Sequence, residues 1–262
     1  MKIELSKFQG SGNDFIIIDN RQNLYNNITP QQVKFLCNRH FGIGADGLML
    51  LNNKEGYDFE MVYFNADGNP GSMCGNGGRC IVKFASMLGI KRKEYSFLAI
   101  DGVHEAKINL DKEISLKMKD VDEVDFVLDN FVLNTGSPHV VKYVKEAAGI
   151  NVVSEGRKIR NSKEFLKEGV NVNFVETLSD DEIFVRTYER GVEDETLSCG
   201  TGVTASALTA AHNEKGFNRV EVSTVGGKLS VEFEKVSDTE FINIWLSGPA
   251  EFVFSATIIL KD

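Results

Sequence analysis

A segment of the form Cys-Gly-x-Gly, leading into a run of helix-forming residues, occurs twice, at Cys74 and 125 residues later at Cys199. The first copy reads MCGNGGRCIVKFASMLG from Met73, and the second reads SCGTGVTASALTAAHNE from Ser198. The same offset, with no gap, lays Gly44 on Gly169, Phe59 on Phe184 and Tyr63 on Tyr188. It also lays Gly75 on Gly200, Gly77 on Gly202, Ala85 on Ala210 and Gly102 on Gly227. Scattered identities arise by chance, but two complete cysteine turns in register do not. The chain therefore reads as a duplicated unit, each half presenting one cysteine where a helix begins. At 262 residues it is long enough for two domains of ordinary size.

Periodicity places strands at Lys2–Gln9, Phe15–Asp19, Leu48–Leu51, Phe59–Asn65, Ser96–Asp101, Glu105–Leu110 and Ile114–Met118. A helix begins at Thr29-Pro30, where threonine caps and proline suits the first turn, and runs to about Arg39-His40. A second spans Asn76 to Leu88 with Gly89 as its C-terminal cap. The later half repeats the pattern, with strands at Phe131–Asn134, His139–Val144, Val172–Glu176, Ile183–Tyr188, Arg219–Thr224, Lys228–Glu234 and Phe241–Leu246. A small helix is expected at Ser162–Glu168 and the main one at Thr201–Asn213. The main helix has no charged face, which predicts burial on several sides. The expected fold is α/β (α+β), two pseudo-symmetric domains, each a curved mixed or antiparallel sheet around a central helix. The acidic stretch Asp120–Asp129 reads as the linker. The domains are then 1–119, completed by a C-terminal strand at 254–262, and 120–253.

An apolar share of 42% and a charged share of 26% belong to a globular chain. A net charge of −9 offers no basic footprint for nucleic acid. Apolar runs such as Phe15–Ile18 are too short for a membrane span, and MKIELSKFQG has no apolar signal core, so a cytoplasmic setting is expected. Four cysteines in such a setting are not a disulfide framework. Close ligand pairs of the kind that bind zinc are also missing: Cys37 and His40 are separated by two residues, with no second pair nearby. No metal site is expected.

Both cysteine turns place sulfur at a helix N-terminus, where unpaired N–H groups and the helix dipole favour an anion. Such sites lower cysteine pKa values from about 8.5 to roughly 3.5–7.5. Gly75, Gly77, Gly200 and Gly202 lack Cβ, so a carboxylate can approach the same N–H groups closely. One copy alone could be only a tight turn before a buried helix. Two copies in register suit a reaction that takes a proton from one face of a carbon and returns it to the other. Cys37 and Cys80 lack this context and read as buried structural residues.

At these residues the chain resembles the diaminopimelate epimerases. The matching segments are GSGNDF from Gly10, FNADG from Phe64, MCGNGGR from Met73, GSPH from Gly136, GVNVNF from Gly169, YERG from Tyr188 and SCGTG from Ser198. They span nearly the whole chain in the family's order. The resemblance implies cofactor-independent interconversion of LL- and meso-diaminopimelate, in lysine and peptidoglycan precursor synthesis, with a substrate cleft between two similar domains. It implies Cys74 and Cys199 as the acid–base pair, with His139 and Glu189 beside the thiols. Asn13, Asn65 and Asn171 match asparagines that hold the substrate's amino and carboxylate groups. Gly75 with Asn76, and Gly200 with Thr201, match the backbone donors to the reacting carboxylate. Arg190 matches the residue that grips the distal carboxylate, and Glu189 the one that holds the distal ammonium.

Without the resemblance, Glu189-Arg190 reads as an ordinary charged pair at a strand end, and His139 after Pro138 as an exposed turn residue. Asn65 and Asp67 build a turn equally well. Two positions depart from the family pattern: Ser137 stands where many members have Asn, and Gly47 where some have Gln. A hydroxyl replaces one amide hydrogen bond and not two, so a water-mediated contact is expected near Ser137. A proline or hydroxyproline epimerase on the same fold is the competing activity. Asn76, where those relatives carry His, and Arg190 argue for the dicarboxylic substrate. A binding protein without catalysis is the alternative of a different class. The expected partner is a small molecule, not nucleic acid or membrane, and a homodimer is compatible with the sequence.

Overall fold

Residues 2–260 are described in the computed structural model. The chain divides into two units, one formed by the residues up to Leu116 and from Pro249 onward, the other by Lys117–Gly248. No helix among the described residues is long and apolar enough to cross a membrane.

Alternating charged and apolar residues make β1 (Lys2–Gly10), with Ile3 and Leu5 buried on one side. The alternation breaks at Lys7 and Phe8, both buried, because a register shift falls between them. A turn at Ser11 (φ 52) and Gly12 (φ 82) leads to antiparallel β2 (Asn13–Asp19). Next comes α1 (Pro30–Cys37), whose Thr29 cap and Gln32 close a capping box. It stops short of Arg39-His40: Asn38 is extended and its side chain accepts from the backbone N–H groups of His40 and Phe41. Then follow β3 (Gly47–Asn52), β4 (Phe59–Asn65), α2 (Gly75–Met87), β5 (Glu94–Ala99), β6 (Gly102–Ile108) and β7 (Ile114–Lys117). The C-terminal strand Glu251–Ile259 pairs antiparallel with β1. The α2 helix packs on β1, β2, β3 and that strand, burying Cys80, Ile81, Phe84 and Ala85. It ends where Gly89 takes φ +91 and the N–H of Ile90 reaches the carbonyl of Ala85.

The second unit holds β8 (Val124–Val127), β9 (Asn130–Asn134), β10 (Pro138–Tyr143), α3 (Val152–Arg160), β11 (Asn171–Thr177) and β12 (Glu182–Glu189). It continues with β13 (Asp194–Thr196), α4 (Gly200–Thr209), β14 (Gly216–Thr224), β15 (Gly227–Lys235) and β16 (Phe241–Gly248). Pairing repeats that of the first unit. β2–β3 and β10–β11 are parallel, β3–β4 and β11–β12 antiparallel, β4–β5 and β12–β14 parallel, β5–β6 and β14–β15 antiparallel. Even register persists in places: Phe15 faces Gly47, and 125 residues on Val140 faces Val172. The α4 helix is buried along nearly its whole length against β9, β10, β11, β12, β14, β15 and β16. Each unit is thus a mixed sheet around one central helix, as its sequence predicts.

Further local expectations fail, and the main helix ends at Thr209, short of the expected Asn213. Asp120–Asp129 is not wholly loop, because β8 lies within it and pairs with β9 across a turn at Leu128 (φ 51) and Asp129 (φ 58). Ser162–Glu168 forms successive turns, and the helix lies earlier, at α3. The α3 helix is capped by Asn151, whose side chain accepts from the N–H of Ser154, and it carries Arg157, Lys158 and Arg160 in its last turn.

Candidate functional site

In the first unit Cys74 is the N-cap of α2, with extended backbone at φ −109, ψ 142. Its Sγ accepts the Gly77 N–H at 3.2 Å, so the sulfur rather than a hydroxyl or carboxylate satisfies an orphan donor of the helix. That bond and the positive helix end both favour sulfur as an anion. Asn13, at the start of β2, directs its Oδ1 at the site, 3.7 Å from Cys74 Sγ and 3.4 Å from Asn76 Nδ2. The other end of the Asn13 amide donates to Asp46. Asn76 is buried, and its own oxygen accepts from Arg79 Nη2 at 2.8 Å. Asn65 ends β4 opposite Gly47, exposed to solvent. A side chain at Gly71 would meet Asn65 Oδ1 at 2.9 Å, which shows how closely the segment entering Cys74 passes that amide.

Arg79 is fully buried on α2. It donates to Asn76, to Ser11 Oγ at 3.2 Å and to the Pro249 carbonyl at 3.3 Å. Burial pulls its pKa down, against the pull of the Cys80 and Cys74 sulfurs. The Asp14–Arg39–Lys7 cluster lies one residue beyond Asn13 in sequence, with Arg39 bridging Asp14 and Asp46 at 2.7 Å each. It fixes the start of β2 and the loop that holds Asp46.

In the second unit Cys199 is the buried N-cap of α4, at φ −111, ψ 112. Its Sγ makes no cap bond to the helix backbone and lies instead 3.5 Å from Thr201 Oγ1. Thr201 Oγ1 is 2.9 Å from His139 Nε2, and Thr135 Oγ1 donates to the Thr201 carbonyl. His139 is completely buried, not an exposed turn residue. Burial, with a smaller push from the Arg190 charge, drives its pKa from 6.5 to about 3, so the ring is neutral at working pH. The turns of the two halves therefore surround sulfur differently, with a backbone N–H at Cys74 and a side-chain hydroxyl at Cys199.

Arg190, Asn171 and Ser137 form a second cluster in this unit. Asn171 opens β11, accepts the Arg190 N–H at 2.8 Å, and donates to Ser137 Oγ at 3.0 Å and the Pro138 carbonyl at 3.2 Å. Arg190 Nη2 also reaches Ser137 Oγ, at 3.2 Å, while its Nη1 donates to the Glu168 carbonyl. The serine that departs from the family pattern is thus a shared acceptor for both. Glu189 accepts from Thr196 Oγ1 at 2.8 Å, and burial raises its pKa although that hydrogen bond opposes the shift. Two polar residues at these centres were not singled out by sequence: Arg79 and Asn173. Both sit inside motif segments, MCGNGGR and GVNVNF, and Asn173 shares a strand face with Asn171 by two-residue alternation. That alternation was the available signal.

A family model described as diaminopimelate epimerase matches residues 5–124 and 131–253 of the chain. The diaminopimelate epimerase of Flavobacterium psychrophilum is 51% identical over 258 residues, covering 98% of this chain and 100% of that protein. That of Chlorobaculum tepidum is 45% identical, covering 96% and 99%. That of Aquifex aeolicus is 37% identical, covering 98% of each. Among solved structures, a phenazine biosynthesis protein of the PhzF family from Bacillus anthracis superposes with a TM-score of 0.74 at 15% identity, covering 99% of this chain and 100% of that one. A hydroxyproline epimerase from Agrobacterium vitis superposes with a TM-score of 0.67 at 13% identity, covering 100% and 93%. These two likenesses establish the mixed α/β fold.

Proposed function

The chain belongs to the diaminopimelate epimerase family, and from that premise we propose that it interconverts LL- and meso-diaminopimelate by proton transfer at one α-carbon, with Cys74 and Cys199 as the two transferring groups. One sulfur takes the α-proton as thiolate while the other, as thiol, delivers a proton to the opposite face. In the reverse direction the roles exchange. The observation that carries this reading is the duplication itself: each unit caps its central helix with a cysteine, and no other cysteine is so placed.

The α-proton of an amino acid is a weak acid, so the carbanion needs its charge spread onto the carboxylate. Helix N–H groups at Gly75-Asn76 and Gly200-Thr201 are donors of the kind required, and they need no reorganisation during reaction. Asn13, Asn65 and Asn171 are assigned to the substrate's polar groups. Arg190 takes the distal carboxylate and Glu189 the distal ammonium. The Arg190 fork is anchored by the Glu168 carbonyl and Ser137 before any ligand arrives, which lowers the entropy lost on binding.

The test is α-deuterium uptake from heavy water by LL-diaminopimelate, with no pyridoxal phosphate added. Cys74→Ala and Cys199→Ala, made separately, should each abolish turnover while leaving substrate binding largely intact. Exchange seen with proline and absent with diaminopimelate would overturn the substrate assignment. Turnover surviving either single substitution would overturn the two-thiol mechanism.

A further inference from the structure

Beneath the Cys199 turn lies a line of polar groups, buried at Thr187, Asn173 and His139, whose partners fix the placing of protons as far as Thr201. Asn173 is fully buried on β11. Its Nδ2 lies 3.1 Å from the Val140 carbonyl, which can only accept, and its Oδ1 accepts from Thr187 Oγ1 at 2.9 Å. The amide orientation is therefore set by its partners. The second proton of that Nδ2 points to His139 Nδ1, 3.1 Å away. A nitrogen that accepts there carries no proton, so the neutral ring must hold its proton on Nε2. That Nε2–H faces Thr201 Oγ1 at 2.9 Å and occupies one of its lone pairs. The Thr201 hydroxyl proton is then available to Cys199 Sγ at 3.5 Å, and when that sulfur is ionised no other sense of the bond exists.

We propose that Asn173 is a positioning residue: by fixing His139 as a neutral, Nε2-protonated imidazole, it makes Thr201 a hydroxyl donor to the Cys199 thiolate. His139 is then a structural donor, with one nitrogen occupied by an amide and the other already protonated, and does not itself accept the substrate's proton. Gly202 is part of the same device, since a Cβ there would lie 2.3 Å from Asn173 Oδ1 and 3.4 Å from His139 Cε1. Arg190 is the charged group whose field reaches the ring, and it too disfavours imidazolium. The assignment deepens the catalytic reading of Cys199 and rests on it for its purpose, but its tests do not depend on turnover.

Imidazole nitrogen-15 NMR of the full-length protein, with His139 identified by loss of its signals in His139→Gln, reads the tautomer directly. An unprotonated Nδ1 and a protonated Nε2, unchanged from about pH 6 to about pH 9, are expected. A proton on Nδ1, or an imidazolium near neutral pH, overturns the proposal without any variant at Asn173. Alkylation of Cys199 by iodoacetamide, measured in a Cys74→Ala background, tests the consequence. Asn173→Asp, when ionised, supplies only acceptors, moves the ring proton to Nδ1 and makes Thr201 donate to Nε2. Alkylation near neutral pH should slow about tenfold, the effect of losing one hydrogen bond to a charged sulfur. Thr201→Val should slow it comparably and Thr201→Ser should not. A folded Asn173→Asp protein that reacts at the parent rate sinks the inference. Normal tautomer and reactivity in a protein inactive on diaminopimelate would instead sink the functional reading alone.

Discussion

Arg79 Nη2 donates to the side-chain oxygen of Asn76 at 2.8 Å, with both residues buried in the first unit. The bond settles which end of the Asn76 amide faces Asn13, and so orders the polar surroundings of Cys74. The partners that Arg79 meets are neutral oxygens of Asn76, Ser11 and Pro249, held by a planar fork that a single ammonium cannot copy. Arg79→Lys should therefore lower kcat about tenfold, the loss of roughly one oriented hydrogen bond. The melting temperature should fall as well, by about 2–4 °C for each kcal/mol lost. Deuterium wash-in and thermal melts check both. Unchanged kcat in a destabilised protein would leave Arg79 a purely structural residue.

Gly77 and Gly202 occupy equivalent positions of the repeat but answer differently to a methyl group. A Cβ at Gly77 meets its nearest atoms at 3.4–3.5 Å, ordinary contact, whereas at Gly202 it meets Asn173 Oδ1 at 2.3 Å. Gly77→Ala should be neutral or stabilising by about 0.5–1 kcal/mol, through helix propensity. Gly202→Ala should cost about 1–3 kcal/mol and disturb His139. Denaturant unfolding of the two variants side by side decides the matter, and equal stabilities would contradict the contrast.

Glu189 predicts a pH-dependent gain from neutralisation. Burial raises its pKa above 4.5, with the Thr196 hydrogen bond opposing. A raised carboxyl binds its proton more tightly when folded, so its cost to stability is absent well below the ordinary value. That cost grows as pH rises from there through the folded pKa. Glu189→Gln keeps an acceptor for Thr196 and removes the charge. Its melting temperature should exceed the parent's near about pH 7 and match it near about pH 4, while turnover falls. A variant less stable at both pH values would show that the carboxylate contributes net stability.

Asp14 works in the opposite sense. Burial pushes its pKa up, but hydrogen bonds and charge from Arg39 and Lys7 outweigh it and hold it at about 2, below the ordinary 3.8. The stability it contributes is present above the ordinary value and is lost as pH falls through that window. Thermal melts from neutral to acid pH should show the parent losing stability there, with Asp14→Asn less stable at neutral pH and flatter below. Parallel curves for the two proteins would remove Asp14 as a contributor to acid unfolding.

The missed elements lack the usual local signal. The α3 helix contains Gly156, a residue that reads as a breaker, yet a Cβ there would lie 2.4 Å from Tyr188, so close packing on β12 requires it. The β8–β9 turn places Leu128 and Asp129 at positive φ, where no glycine announces a hairpin. At Gly156 a contact distant in sequence overrides local propensity, and at Leu128-Asp129 the pairing of β8 with β9 holds a turn that its residue types do not signal.

The amino-acid sequence by itself determined the duplication, the alternation of strands and helices, and the placing of both cysteines at helix starts. All of these are local or periodic signals, and the element order repeats at the offset read from the cysteine turns. Only the tertiary structure decided what each sulfur meets: Gly77 N–H and Asn13 for Cys74, Thr201 for Cys199. It also decided that His139 is buried and that Asn173 and Arg79 stand behind the sites. A hydrogen bond depends on where its partner lies in space, and the partners that come from other strands of the unit, Asn13 beside Cys74 and His139 beside Thr201, are brought in only by the packing. Residue type offers the donors and acceptors, and the packing of the sheet on its helix selects which of them meet.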